Sequence, residues 1–100
     1  MVYSIEDIRR IAVPIAASYG VDRVRLFGSY ARGEATEKSD VDFRIDRGEV
    51  RDLFQMGALY ADLQAKLCKP LDIVTTEALD AAFLARIQPD EVLIYEHDNL

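Results

Sequence analysis

Cysteine occurs once, at Cys68, so no disulfide can close within the chain and a stapled, disulfide-built scaffold is excluded. Long apolar runs are missing as well. The longest, Ile11 to Ala17, contains Pro14 and falls far short of the ~20 residues of a membrane-spanning helix. The chain does not open on a basic stretch followed by an apolar one, so the expected location is the cytoplasm, away from membranes. Glycine (5) and proline (3) are too scarce for a low-complexity or disordered polymer, and no internal repeat or linker is visible. Basic residues are in deficit, with 12 Lys and Arg against 18 Asp and Glu and a net charge of −6. That sign is wrong for gripping a phosphate backbone, so direct binding of nucleic acid is not expected. It favours a basic protein partner and, wherever carboxylates cluster, divalent cations.

What is present is ordinary globular material, with 50% hydrophobic and 30% charged residues in a 100-residue chain, which predicts one domain over residues 1–100. Ser4, followed by Glu6 and Asp7, reads as the cap of a helix whose apolar stripe runs through Ile8, Ile11, Ala12, Ile15 and Tyr19 and stops at Gly20. Pro14 inside that stripe predicts a kink or two short helices end to end. Val24 to Phe27 and the alternating Asp40 to Asp46 read as strands. Val50, Leu53, Phe54, Gly57, Tyr60, Ala61 and Leu67 form the stripe of the longest helix, closed by Pro70. Leu71 to Thr75 is a third strand, Thr76 the expected cap of a helix from Glu77 to about Gln88, and Val92 to Glu96 a fourth, edge strand. The expected fold is therefore α/β (α+β), a small mixed sheet of three to four strands with helices on one face and the other face partly open.

Chemistry concentrates on the open face. In Asp40-Val41-Asp42-Phe43-Arg44-Ile45-Asp46 the period of two sends Val41, Phe43 and Ile45 to the core and leaves Asp40 and Asp42 together opposite them. Two carboxylates so close repel unless a cation lies between them. Oxygen ligands of this kind suit Mg²⁺, which is commonly held by one or two carboxylates plus substrate phosphates. Asp72, flanked by apolar residues in Leu71-Asp72-Ile73-Val74, supplies a third carboxylate in a strand. With this much Asp an Asp-x-Asp pair arises about once by chance, so its context carries the weight. That context is a Gly28-Ser29 pair closing the preceding strand, with ten residues separating Ser29 from Asp40. Gly28 permits close approach of backbone to a phosphate, and Ser29 adds a hydroxyl and an N–H at the turn. Arg32 in the connection is a candidate phosphate ligand. Arg44, on the face of Asp40 and Asp42, is expected to touch phosphate or to pair with Asp42 or Asp46. Cys68 is expected to be a small buried hydrophobe, and neither it nor His97 is assigned a role.

The run GSYARGEATEKSDVDF resembles the signature of the polymerase-β-like nucleotidyltransferases, a Gly-Ser pair followed after about ten residues by Asp-x-Asp. The resemblance extends over nearly the whole chain to the minimal nucleotidyltransferases, which are commonly paired with HEPN-domain proteins as toxin and antitoxin. It implies that Gly28 and Ser29 bind the triphosphate of ATP, that Asp40 and Asp42 hold two Mg²⁺ ions, and that Asp72 is the third carboxylate and proton acceptor. It further implies transfer of AMP to a hydroxyl, such as a tyrosine, of a cognate HEPN-type ribonuclease toxin. Two other classes stay open at this level: an antitoxin that neutralises its partner by binding alone, and nucleotidyl transfer to a small molecule.

Overall fold

In the computed structural model, which describes residues 1–98, four strands form one mixed sheet in the order β3-β2-β1-β4. The last two residues of the expected 1–100 span lie outside the described residues. The elements are α1 (Ile5–Ser18), β1 (Arg23–Phe27), a one-turn helix α2 (Gly28–Ala31), β2 (Val41–Asp46), α3 (Leu53–Leu67), β3 (Leu71–Thr75), α4 (Ala81–Ile87) and β4 (Val92–Glu96). β1 pairs antiparallel with both β2 and β4, while β2 and β3 run parallel through the α3 crossover. The mixed sheet and the edge position of β4 are as the sequence pattern predicts.

One face of the sheet is packed. Val24 and Leu26, then Val41, Phe43 and Ile45, alternate inward and meet Ile8, Ala12 and Ala16 of α1 and Leu59, Leu63 and Leu67 of α3. The two helices are tied together by Tyr19, whose hydroxyl donates to Asp62 at 2.5 Å, and by Tyr3, whose hydroxyl donates to the Leu67 carbonyl at 2.7 Å. Ser4 caps α1 as expected, reciprocated by Asp7 in a capping box.

Four local expectations are corrected. Pro14 does not split α1, which runs through it as one helix. The carbonyl that Pro14 leaves without its helical donor belongs to Arg10, and both residues are exposed, so water can serve it. In α3 the stripe through Leu53, Phe54, Gly57 and Ala61 has helical spacing but is the solvent side: Leu53 is 88% and Phe54 91% exposed. Val50 and Leu67 of the expected stripe are buried, and the sheet is met by Leu67 together with Leu59 and Leu63, which bury more volume than the glycine and alanine of the exposed side. Thr76 opens only a short 3₁₀ turn, Thr76–Ala78, and Asp80 caps α4 by accepting from the Phe83 N–H at 2.7 Å. Cys68 is exposed and ends α3 in the left-handed conformation (φ 55°) that glycine usually fills.

Candidate active site

The opposite face of the sheet is charged, and its two ends differ. Toward the C-terminal end of β2, Asp46 accepts from Arg25 at 3.2 and 3.3 Å, from Arg23 at 3.2 Å and from the Thr76 hydroxyl at 2.5 Å. Burial would raise this carboxyl, but the hydrogen bonds from Arg25, Thr76 and Arg23 outweigh it and bring its pKa down to about 2. Arg44, nearly buried, does not pair with Asp42 or Asp46 as expected. Its guanidinium donates to both carboxylate oxygens of Glu91 at 2.6 and 2.7 Å and to Thr76 at 2.8 Å, fastening the segment after α4 to the sheet. It is therefore a clamp within the fold and is not directed at a ligand.

At the other end no arginine among the described residues forms an ion pair with the acids. Asp42 stands opposite Phe27 on β1 and opposite Asp72 on β3, and Asp40 immediately precedes β2. Asp42 is half-buried, whereas Asp40 and Asp72 are exposed. Burial first, then repulsion from Asp72 and Asp40, raises the Asp42 pKa to about 6, with Arg32 opposing weakly. The ordinary carboxylate value is 3.8, so ionising Asp42 costs more here than in water, a cost that a bound cation would offset.

Gly28 begins α2 with φ +73°, and a Cβ built there would lie 2.2 Å from Oδ2 of Asp42. Only glycine fits both the left-handed backbone and the carboxylate pressed against it. Gly28, Arg32, Asp42 and Asp72 together line a cleft of about 400 Å³. Ser29 and Asp40 stand outside its lining, Ser29 one residue along α2 and Asp40 at the mouth of β2. The Ser29 hydroxyl makes no hydrogen bond to the described residues. Arg32 is held at the rim by Glu34 at 2.9 Å and lies 3.9 Å from Asp90.

The rest of the lining is Phe27, Phe83, Arg86, Ile87 and Asp90, none of which sequence reasoning singled out. The available signal was Phe83 and Ile87 at i, i+4 with Arg86 between them, an apolar pair and a cation on one short helix.

The carboxylates fit a hard, oxygen-seeking cation: no thiolate or imidazole lines the cleft, and their mutual repulsion is what a divalent ion relieves. Among the described residues no three His, Cys, Asp or Glu side chains converge into a ready-made metal cage.

A Gly-Ser turn at the end of β1 thus lies beside acids carried by β2 and, one strand further, by β3. Residues 12–100 match the family model for the polymerase beta nucleotidyltransferases, and the chain belongs to that family. It is 35% identical over 89 residues to a candidate protein adenylyltransferase of Methanocaldococcus jannaschii, covering 89% of this chain and 96% of that one. It is 34% identical over 76 residues to the protein adenylyltransferase MntA of Thermococcus cleftensis, covering 76% and 77%. Among solved structures, a candidate minimal nucleotidyltransferase superposes with a TM-score of 0.77 at 31% identity, over 90% of this chain and 95% of that one. The MNT antitoxin in complex with the tri-AMPylated HEPN toxin of Shewanella oneidensis has the same fold, with a TM-score of 0.69 at 14% identity over 92% and 72%. The protein is thus an enzyme, a nucleotidyltransferase resembling the protein adenylyltransferases.

Proposed function

We propose that this protein transfers AMP from ATP to a hydroxyl, that of a tyrosine, of a HEPN-type ribonuclease toxin, and that the modification silences the toxin. The observation that carries the reading is the acid cluster itself: Asp42, raised to about 6 between Asp40 and Asp72, with Gly28 packed against it. The adenylyltransferase names of the relatives and the AMPylated toxin bound by a protein of this fold support the choice of nucleotide and acceptor.

In this reading Gly28 and Ser29 receive the phosphates and Arg32 steadies them from the rim. Asp40 and Asp42, with Asp72, hold two Mg²⁺ ions. Bound Mg²⁺ supplies charge neutralisation for the phosphates and for the departing pyrophosphate. The acceptor oxygen attacks the α-phosphorus in line, the bond from that phosphorus to the bridging oxygen breaks, and pyrophosphate leaves. The proton of the hydroxyl passes to Asp72, the exposed carboxylate beside Asp42. The net charge of −6 suits a basic partner that brings its own docking surface, and a cytoplasmic setting fits such a pair.

Mass spectrometry of the partner after incubation with this protein and Mg-ATP tests the proposal. One or more added AMP units, lost with Asp40→Ala and reduced with Asp72→Ala, are expected. Neutralisation of the partner by Asp40→Ala, with no mass change in the parental reaction, would establish a binding-only antitoxin instead.

A further inference from the structure

Facing the acids across the cleft is a wall of different chemistry, built by α4. Phe83 is half-buried and meets Phe27 edge to face, with ring centroids 6.3 Å apart and planes at 88°. Phe27 is buried and pairs in register with Asp42, so the position of the Phe83 ring relative to the acids is set through one cross-strand step and one ring contact. On the same ring lies Arg86, its guanidinium carbon 5.4 Å from the centroid. Arg86 is exposed and forms no ion pair with the described residues. Ile87 completes this side.

We propose that this wall is the nucleoside subsite, with the base of the bound triphosphate lying against Phe83 and Arg86 while the phosphates extend toward Gly28 and Asp42. The inference rests on the triphosphate reading of the opposite wall and adds where the rest of the nucleotide goes. An aromatic ring backed by a planar guanidinium suits a flat, uncharged heteroaromatic group, because both surfaces stack. The division of cations agrees. Arg32, whose backbone N–H donates to the Gly28 carbonyl at 3.1 Å, is held by Glu34, whereas Arg86 lies against the Phe83 ring. At about 400 Å³ the cleft falls in the range of about 300–1,000 Å³ typical of small-ligand sites. Stacking senses that a base is present without reading its edge, so adenine and guanine should gain similarly from this wall.

Calorimetry on the full chain with Mg²⁺ and two probes, α,β-methylene-ATP and inorganic tripolyphosphate, tests the assignment. Phe83→Ala and Arg86→Gln should each weaken the ATP analogue by about 5- to 150-fold and leave tripolyphosphate unchanged. Phe83→Trp should restore the analogue, and the guanosine counterpart should show the same losses as the adenosine probe. Since Arg86 is exposed, its variant remains informative even if Phe83→Ala disturbs the packing against Phe27. Equal weakening of both probes by Arg86→Gln would assign the wall to phosphate and overturn the proposal, as would unchanged analogue binding in both variants. A parental chain that binds neither probe would overturn the triphosphate reading together with this one, whereas tripolyphosphate binding as tight as the analogue's would overturn this one alone.

Discussion

Asp42 and Asp46 share a strand and a face, yet one carboxyl is held near 6 and the other near 2. Both are partly withdrawn from water, which raises each. What separates them is company: Asp46 receives Arg23, Arg25 and Thr76, whereas Asp42 receives two more carboxylates and only a distant Arg32. The first end of this face has its charges satisfied by the chain itself. The second leaves Asp42 beside two more acids with no ion-pair partner among the described residues. An unbalanced set of acids held by a well-packed sheet is the pattern of a site and not of a stabilising network.

The comparison can be broken most severely at the satisfied end. Arg44→Met leaves Glu91, about 8% exposed, without its partner and should cost about 3–5 kcal/mol in urea unfolding at pH 7. Removing both charges, with Arg44→Met and Glu91→Leu together, should cost less than Arg44→Met alone. Next in size is Asp46→Asn, expected to cost ~2 kcal/mol at pH 7. Its carboxyl is depressed in the fold, so its contribution is present above the ordinary pKa of 3.8 and is lost as pH falls toward 2. Stability of the two proteins should therefore converge over that interval.

Asp42→Asn should do the reverse. A carboxyl raised to about 6 prefers the neutral form in the fold, so its ionisation weakens the protein above that pH. Without Mg²⁺ the variant should be more stable by ~1 kcal/mol at pH 8, a figure reduced for the solvent that reaches this half-exposed group. That advantage should shrink as pH falls through 6 toward 3.8. The smallest effect belongs to neither end: Leu53→Ser, on the exposed side of α3, should change stability by less than ~0.5 kcal/mol and serves as the control for both.

Asp40, Asp42 and Asp72 are legible in the sequence because the period of a strand is two and apolar neighbours fix which face each residue takes. Gly28 was legible from its place at a strand end, although the closeness of Asp42 to its Cα was not. Nothing local marks Glu91 as the partner of Arg44, since 47 positions separate them and the ion pair exists only once α4 has folded back over the sheet. A comparable separation hid the Phe83 and Arg86 wall, whose ring contact joins positions 27 and 83. For α3 the expected stripe held at Val50, Tyr60 and Leu67 and missed Leu59 and Leu63, because that helix carries two apolar stripes and only packing against the sheet selects the leucines.

Carbon-detected NMR titration of the Asp side-chain carboxyls bears most directly on the claim that the unpaired acids await a cation, with Asp46 as the internal reference. Without metal, Asp42 should titrate near 6 and Asp46 near 2. Mg²⁺ with α,β-methylene-ATP should bring Asp42 down while leaving Asp46 in place, because a bound cation favours the carboxylate it touches. An Asp42 that titrates at the ordinary 3.8, or that stays near 6 when Mg²⁺ and the analogue are added, would contradict the account.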